Sequence, residues 1–306
     1  MAVDFYAGKL AVVTGGGSGM GRELVRQLAA HGCSVATCDW HAESVADTAA
    51  TAPGALVTSH LCDVSDEAQV LRFRDELLVA HGTEHVDLVF SNAGIGGAGS
   101  FVKDSREEWE RTFAVNWWGV YHCARTFLPL LIASGDGILV NTSSVNGFWA
   151  TLGPGLPNTA YSAAKFAIKG FSEALIEDLR SNAPQVRVVV VMPGHVGTNI
   201  IANTRRAHGD RKLNAADLDA ARTVFARLGL LTEDASDDSV LAAIGRMEAD
   251  FRDKAPLSAA QAATIILYGV QSGSWRILVG DDAKTLDERV RANPDDAYDY
   301  AKLSGQ

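Results

Sequence analysis

Seven short apolar runs, separated by longer stretches with the spacing of amphipathic helices, constrain the fold of this chain more than any other feature. Most of these runs are apolar throughout instead of alternating, which is typical of strands in a parallel sheet covered by helices on both faces. The predicted strands are Leu10–Thr14, Ser34–Cys38, Ala55–Cys62, Val86–Ser91, Gly137–Thr142, Val186–Met192 and Arg276–Val279. Their alternation with helices predicts an α/β fold, a Rossmann-like, doubly wound, seven-stranded parallel sheet.

The length of the chain is compatible with a single domain over residues 1–306. Its 306 residues, of which 47% are hydrophobic, can enclose one large core. A segment over about residues 195–259 shows helical patches but no predicted strand, and it is either a substrate lid or a partly disordered insertion. The polar end of the chain, over about residues 281–306, is expected to form a surface arm.

Charge and composition restrict the partners. The net charge is −10, and a surface that binds nucleic acid needs clustered Lys and Arg, so no nucleic-acid partner is expected. No apolar run approaches the ~18 residues of a membrane span, and no secretory signal begins the chain, so we expect a cytoplasmic protein without a membrane partner. The four cysteines contain no C-x-x-C pair, as is usual for reduced thiols, and no metal site is predicted. A small, weakly charged substrate fits these features.

A glycine-rich stretch, TGGGSGMG at Thr14–Gly21, joins the first strand to the first helix. Without Cβ atoms, such a turn can bring backbone N–H groups and the helix N-terminus close to a pyrophosphate. The spacing is G-x-x-x-G-x-G, and the alternative is a tight strand-to-helix turn without a ligand. We interpret the stretch as a dinucleotide site whose contacts come from Gly15, Ser18, Gly19, Met20 and Gly21.

Two acidic residues follow the second and third strands, where adenosine would lie. Asp39 is placed to accept hydrogen bonds from the ribose and would repel a 2′-phosphate, which favours NAD over NADP; the alternative is a turn residue. Trp40 follows it, and neither the glycine-rich turn nor Trp40–His41 contains an arginine or lysine to hold a phosphate. Asp63, with Val64 beside it, accepts a bond from the adenine amino group or caps the next helix.

Tyr161 and Lys165 are four residues apart and therefore lie on one face of a predicted helix. A tyrosine with a pKa near ~10 is a poor base at neutral pH, but an ammonium about 4 Å away would lower that pKa toward 7. The resulting tyrosinate could remove a hydroxyl proton while hydride leaves the carbinol carbon. Ser144, at the end of the fifth strand, could hold the same oxygen, with Ser143 as the alternative.

Together these motifs resemble those of the short-chain dehydrogenases/reductases, over residues 8–198 and the last strand. TGGGSGMG is similar to the TGxxxGxG motif of that family, and YSAAK supplies its tyrosine and lysine. The resemblance implies an enzyme whose catalytic residues are Asn116, Ser144, Tyr161 and Lys165. In such an enzyme Asn116 positions a water that links Lys165 to solvent, and Lys165 also holds the nicotinamide ribose. The dinucleotide contacts that it implies further along the chain are Asn92, Ala93, Gly94, Tyr161, Lys165, Pro193, Gly194, Val196 and Thr198.

The sequence departs from the usual pattern of that family between Ser144 and Tyr161. These residues are farther apart than is common, and the loop FWATLGPGLPNTA between them is bulky and contains two prolines. In one interpretation Phe148 and Trp149 line an apolar substrate cleft together with Ser144 and Tyr161. In the other they belong to structural packing.

The predicted function is NAD-dependent interconversion of a secondary alcohol and its ketone, on a small to medium, partly apolar substrate. The alternatives are an NADP-dependent carbonyl reductase and a non-catalytic dinucleotide-binding sensor on the same fold, of which the sensor would not need the four catalytic residues. By resemblance, the chain is also expected to form a homo-oligomer, a dimer or a homotetramer, through the helices that carry Asn116 and Tyr161.

Overall fold

The computed structural model of the protein describes residues 5–97, 99–209, 213 and 215–299 and contains the predicted parallel sheet. In chain order, its strands are β1 (Leu10–Thr14), β2 (Ser34–Asp39), β3 (Val57–Leu61), β4 (Leu88–Ser91), β5 (Gly137–Thr142), β6 (Val186–Pro193), β7 (Val196–Gly197), β8 (Leu257–Ser258) and β9 (Arg276–Val279). Seven of them form one sheet in the order β3-β2-β1-β4-β5-β6-β9. The direction of winding reverses between β1 and β4, and ligands of such folds bind at that point, outside the carboxyl ends of the strands. The predicted fold class is therefore confirmed.

Helices lie between the strands and cover both faces of the sheet. Two of their ends follow sequence signals: Gly32, with φ +76°, follows the first helix, and Asp66 caps the third through a bond from the Ala68 N–H. The helices are α1 (Gly19–Ala30), α2 (Ala42–Thr51), α3 (Glu67–His81), α4 (Arg106–Phe113), α5 (Gly119–Ser134), α6 (Thr159–Asn182), α7 (Ile200–Ala207), α8 (Ala215–Arg227), α9 (Asp237–Asp253), α10 (Ala259–Gln271) and α11 (Asp281–Ala292).

Two apolar cores fix the sheet between its helices. On one face, Leu24 and Leu28 of α1 pack with Ile266 of α10 against the strands. On the other face, Phe73 of α3 and Phe127 of α5 meet edge to face, with ring centroids 5.8 Å apart. Burial of each such side chain contributes about 1.5–3 kcal/mol relative to exposure. The cores thus hold the carboxyl ends of the strands in fixed positions.

The segment over residues 195–259 is helical in its described part, which contains α7, α8 and α9. It begins and ends with β7 and β8, which pair in parallel, so the expectation that it contains no strand is wrong. Helices α8 and α9 also share a small apolar core made by Leu218, Phe225, Val240 and Ala243. The pairing of β7 with β8 ties the two ends of the segment together beside β6.

The end of the chain packs against the loop that follows β5. The indole Nε1–H of Trp149 donates to Ala297 O at 2.7 Å, and the Ala150 N–H donates to the Tyr298 hydroxyl oxygen at 3.1 Å. Ala297 is buried by this contact. We call Ala297 and Tyr298 the C-terminal strap, because they hold the loop from outside.

Two properties of the described chain bear on its environment. None of the helices within the described ranges is both long and apolar enough to cross a lipid bilayer. The four cysteines, Cys33, Cys38, Cys62 and Cys123, are buried, and none of them forms a disulfide.

Candidate active site

A cavity of about 980 Å³ lies at the carboxyl ends of the central strands. It is lined by the segments that follow β1, β2, β4 and β5 and by parts of α6 and α7. Every residue that the sequence indicated as a dinucleotide contact lines this one cavity: Gly15, Ser18, Gly19, Met20, Gly21, Asp39, Trp40, Asp63, Val64, Asn92, Ala93, Gly94, Tyr161, Lys165, Pro193, Gly194, Val196 and Thr198.

The glycine-rich turn has the close backbone packing that a pyrophosphate site requires. Gly15 has φ +71°, and a Cβ on Gly21 would lie 2.1 Å from Gly15 O, so neither position accepts a side chain without movement. Thr14 fixes the opposite wall, since its Oγ1 accepts the N–H groups of Asn92 and Ala93 at 3.0 and 3.1 Å. The turn leads directly into α1, whose free N–H groups face an anion favourably. The residues present therefore fit a bound dinucleotide.

Asp39 lies beside this turn at the end of β2. Its carboxylate accepts the Gly17 N–H at 2.9 Å and the His41 N–H at 3.1 Å. Burial raises the pKa of Asp39, and these N–H groups oppose that rise by stabilising the carboxylate. Arg22, which the sequence analysis did not consider, is nearby, but it donates to Gly17 O at 2.7 Å and lies 3.5 Å from the Asp47 carboxylate.

Asp63 holds two neighbouring elements together. It accepts the Ser65 hydroxyl at 2.7 Å and Arg111 Nη2 of α4 at 2.8 Å. Burial raises its pKa, but the bonds from Ser65 and Arg111 outweigh burial and hold the pKa below its usual range. Because Asp66 caps α3, the interpretation of Asp63 as the helix cap is wrong. Its position on the cavity wall keeps the adenine contact as a prediction.

Tyr161 and Lys165 lie one turn apart on α6, and both line the cavity. Lys165 Nζ is 5.2 Å from the centroid of the Tyr161 ring and donates to Thr142 O at 2.9 Å. Ser144 hydrogen-bonds with the Tyr161 hydroxyl, whereas Ser143 Oγ donates to Lys165 O at 2.7 Å. The fold thus brings Ser144, Tyr161 and Lys165 together and uses Ser143 to join β5 to α6.

Burial dominates the proton affinities of this pair. It raises the pKa of Tyr161, although the hydrogen bond with Ser144 opposes the rise. It also lowers the pKa of Lys165 to about 7. The sequence predicts that the lysine lowers the pKa of the tyrosine toward neutrality before desolvation is counted; in the structure desolvation prevails, and the pKa of Tyr161 is raised. Both charged forms lose hydration here, and the ammonium faces the Tyr161 ring and the Thr142 carbonyl.

Asn116 lies in a π-helical turn, Ala114–Trp118, that joins α4 to α5. Its Nδ2 donates to two main-chain carbonyls at 2.7 and 2.8 Å, whereas its buried Oδ1 has no hydrogen-bond partner among the described residues. A Cβ on Gly94 would lie 2.8 Å from that Oδ1 and 3.6 Å from Lys165 Nζ, so both atoms lie close to Gly94.

The loop that follows Ser144 supplies the substrate side of the cavity. Trp149 and Leu152 line it. The ring of Phe148 instead lies against the Arg276 guanidinium, whose Cζ is 5.9 Å from the ring centroid. The structure therefore brings Trp149 and Ser144 to one cavity and does not place Phe148 among its described lining residues. Asn146 holds the loop from inside, because its Nδ2 donates to two carbonyls of the loop, each at 2.8 Å.

Helix α11 supplies a wall that the sequence analysis missed. Asp282 and Leu286 of this helix line the cavity. Asp282 Oδ2 accepts the His195 N–H at 2.6 Å, which joins α11 to the segment after β6. No local motif marks these residues, since they meet the site only through tertiary contacts. In the part of the chain that the structure describes, no group of three or more His, Cys, Asp or Glu side chains could hold a metal ion.

Comparison with known proteins decides the family. A family model described as short chain dehydrogenase matches residues 9–209. The chain belongs to this family. It is therefore an oxidoreductase that acts on CH–OH groups and has an NAD(P)-binding Rossmann fold.

Two relatives are similar to this chain over different fractions of its length. The chain is 34% identical to the SadH protein of Mycobacterium tuberculosis over 288 residues, which cover 94% of this chain and 91% of that protein. It is 35% identical to meso-2,3-butanediol dehydrogenase of Serratia marcescens over 196 residues, which cover 64% of this chain and 74% of that enzyme.

Two solved structures differ in their cofactor. A short-chain dehydrogenase/reductase from Burkholderia phymatum in complex with NAD superposes with a TM-score of 0.76 at 31% identity, over 95% of this chain and 94% of that one. A metagenomic short-chain oxidoreductase in complex with NADP gives a TM-score of 0.55 at 33% identity, over 62% of this chain and 83% of that one. These structures do not decide between NAD and NADP, so the preference of this chain must be inferred from its own residues.

Proposed function

We propose that this protein is an NAD-dependent dehydrogenase that interconverts a secondary alcohol and its ketone. The observation that carries the proposal is the convergence of Ser144, Tyr161 and Lys165 in the cavity that also contains the glycine-rich turn. An acid–base group, a donor to the substrate oxygen and a dinucleotide cradle are the parts that hydride transfer at a CH–OH carbon needs. The relative that acts on meso-2,3-butanediol supports a secondary alcohol.

Four side chains take part in the proposed proton transfer. Bound NAD supplies the hydride acceptor. In ketone reduction Tyr161, whose pKa is raised by burial, donates its proton to the carbonyl oxygen, and Ser144 donates a hydrogen bond to the same oxygen. Lys165 and Asn116, whose buried Oδ1 lacks a partner among the described residues, then return a proton from solvent to Tyr161 through a bound water. In alcohol oxidation the proton moves the other way: the relay first removes the Tyr161 proton, and the phenolate then takes the hydroxyl proton as hydride leaves the carbinol carbon.

The substrate end of the cavity favours a partly apolar molecule. Its lining there includes Trp149, Leu152, Ile201 and Leu286, whose side chains present no charge. Neutral secondary alcohols of small to medium size are therefore the proposed substrates. The test is reduction of NAD with a panel of such alcohols, each matched with a primary alcohol and a carboxylate-bearing analogue of equal length. Faster turnover of a charged analogue than of its neutral partner would contradict this substrate class.

We propose NAD as the cofactor because Asp39, which lies beside the glycine-rich turn, would repel a 2′-phosphate, and because Arg22 is bound to Gly17 O and lies 3.5 Å from Asp47. The wild type is expected to bind NADH at least about tenfold more tightly than NADPH, since two anions about 4 Å apart repel by about 4 kcal/mol at an effective dielectric constant of about 20. Fluorescence titration with both cofactors measures the ratio. The variant Asp39→Ser is expected to bring the ratio close to one by removing the repulsion.

The control is Asp136→Ser, which removes a carboxylate at the amino ends of the strands, on the far side of the sheet from the cavity. There Asp136 lies 3.6 Å from Lys9. This variant is expected to keep the wild-type ratio. Tighter binding of NADPH by the wild type would overturn the assignment of NAD.

We propose that the chain forms a homo-oligomer, a dimer or a homotetramer, through the outer faces of α5 and α6. Aromatic side chains connect these helices: the rings of Trp117 and Phe171 are 5.5 Å apart, and Trp118 remains 44% exposed beside them. Sedimentation at micromolar concentration is expected to show a species of two or four chains, and Trp118→Asp is expected to dissociate it. Leu230→Asp, at a 62% exposed position in another segment, is the control and should leave the oligomer intact. A wild type that sediments as a single 32.5 kDa chain would contradict the proposal.

A further inference from the structure

Helix α7 crosses the cavity and is held on both of its walls. Asn203 Nδ2 donates to Ser18 Oγ of the glycine-rich turn at 2.9 Å. On the other wall, the Gly96 N–H donates to Thr204 Oγ1 at 2.7 Å. Because these two walls flank the dinucleotide cleft, α7 lies as a roof above the place of the pyrophosphate.

Two adjacent arginines near the end of α7 have different surroundings. Arg205 is paired with Glu248 of α9, with 2.5 Å between Nη1 and Oε1. Arg206 lines the cavity, and its guanidinium makes no ion pair or hydrogen bond within the described part of the chain. Arg206 follows Asn203 by three residues and therefore shares the face of α7 that is turned toward the glycine-rich turn.

The other lysine and arginine side chains among the described cavity residues are each bound to a neighbour in the protein. These contacts are Arg22 with Gly17 O, Arg111 with Asp63, and Lys165 with Thr142 O. Arg206 is thus the cation that is available to a ligand in this part of the cavity.

We propose that Arg206 binds the pyrophosphate of the dinucleotide and so couples closure of α7 to cofactor binding. The pyrophosphate carries two negative charges, to which the glycine-rich turn offers N–H groups and the Ser18 hydroxyl but no cation, and a guanidinium can contact phosphate oxygens with two parallel bonds. The inference rests on the proposed dinucleotide-dependent function and holds for either NAD or NADP. Its consequence is that α7 is held down over the cleft by the cofactor rather than by the substrate.

An arginine in the last turn of a helix has an ordinary explanation, because the negative end of the helix dipole attracts cations. That explanation applies equally to Arg205 and Arg206, since both lie in the last turn of α7. The variant Arg205→Gln therefore reports the loss of a charge from this turn, and Arg206→Gln reports the same loss together with the proposed contact.

The experiment measures dissociation constants of NADH, ADP-ribose and adenosine for the wild type and both variants at low salt. Arg206→Gln is expected to weaken NADH and ADP-ribose about tenfold, which corresponds to ~1.4 kcal/mol, and to leave adenosine unchanged. Arg205→Gln is expected to stay within about twofold of the wild type. Arg206→Lys, which keeps the charge but loses the planar pair of donors, should lie between them and serves if the glutamine variant does not fold. Added salt should reduce the difference, because exposed charges are screened.

Hydrogen exchange provides the readout of closure. ADP-ribose is expected to protect the α7 amides of the wild type and of Arg205→Gln, and to protect those of Arg206→Gln much less. Equal affinities of the two glutamine variants for ADP-ribose would overturn the inference and leave the proposed function intact. An Arg206→Gln variant that binds NADH normally but has a raised KM for the alcohol would also overturn it, because the cation would then serve the substrate. A wild type that binds neither NADH nor NADPH would overturn the proposed function as well.

Discussion

Replacement of Tyr161 by phenylalanine is expected to lower kcat for alcohol oxidation by about 10²-fold or more, which is the usual contribution of a positioned acid or base. The change removes one hydroxyl from a half-buried ring whose neighbours, Ser144 and Lys165, stay in place. The dissociation constant of NADH and the melting temperature should therefore change little. Steady-state kinetics with an established substrate and a separate NADH titration distinguish the loss of chemistry from a loss of binding.

Tyr268→Phe is the matched control for this experiment. Tyr268 lies on α10, is 71% exposed and does not line the cavity, so removal of its hydroxyl should leave kcat unchanged. A Tyr161→Phe variant with full kcat would contradict the proposed mechanism, since that mechanism assigns the exchange of the substrate proton to the Tyr161 hydroxyl.

Lys165→Met is expected to lower the activity of the protein and to raise its stability. Turnover should fall by about 10²-fold and NADH should bind more weakly, because the ammonium is proposed to serve both the proton relay and the nicotinamide ribose. The folded protein should nevertheless become more stable, by about 2 kcal/mol or ~3 °C, because replacement of a buried charge by an apolar side chain of similar size is often stabilising.

The pH dependence of that stability gain has a definite direction. The pKa of Lys165 is about 7 in the folded protein, against 10.5 for an ordinary lysine. Below pH 7 the ammonium is charged in both the folded and the unfolded chain, so the folded protein bears the full cost of its burial. Between pH 7 and 10.5 the unfolded chain binds more protons, and wild-type stability rises with pH. The difference in melting temperature between Lys165→Met and the wild type should thus be largest near pH 6 and shrink toward pH 10.

Lys169→Met is the control, because Lys169 lies one turn further along α6 and pairs with Glu173 at 2.9 Å near the surface. It should change the melting temperature little and leave turnover unaffected. A Lys165→Met variant that is less stable than the wild type at pH 6 would show that the lysine contributes structural bonds that outweigh its desolvation.

The sheet and the dinucleotide cleft could be predicted because their signals are local. Continuous apolar runs give the strands, and a glycine-rich turn between a strand and a helix gives the position of the cleft. The spacing of Tyr161 and Lys165 fixes their common helix face without any tertiary information. In each case a few neighbouring residues determine the geometry.

The features that could not be predicted depend on contacts between distant parts of the chain. The pKa of Lys165 depends on how deeply α6 is buried against β5. There the Thr142 carbonyl oxygen accepts a hydrogen bond from Lys165 Nζ. Asp282 reaches the site only because α11 packs against the segment after β6. Arg206 has a helix-end position like that of Arg205, and only the fold shows which of the two faces the cavity.

The C-terminal strap makes the position of the substrate loop depend on a part of the chain outside the family match. The residues proposed to hold the dinucleotide and to move the proton lie within residues 9–209, whereas the strap that fixes Trp149 lies at residues 297–298. The likeness to butanediol dehydrogenase covers 64% of this chain, and the likeness to SadH covers 94%. A substitution in the strap is therefore expected to move the substrate loop while the residues proposed for hydride transfer stay in place.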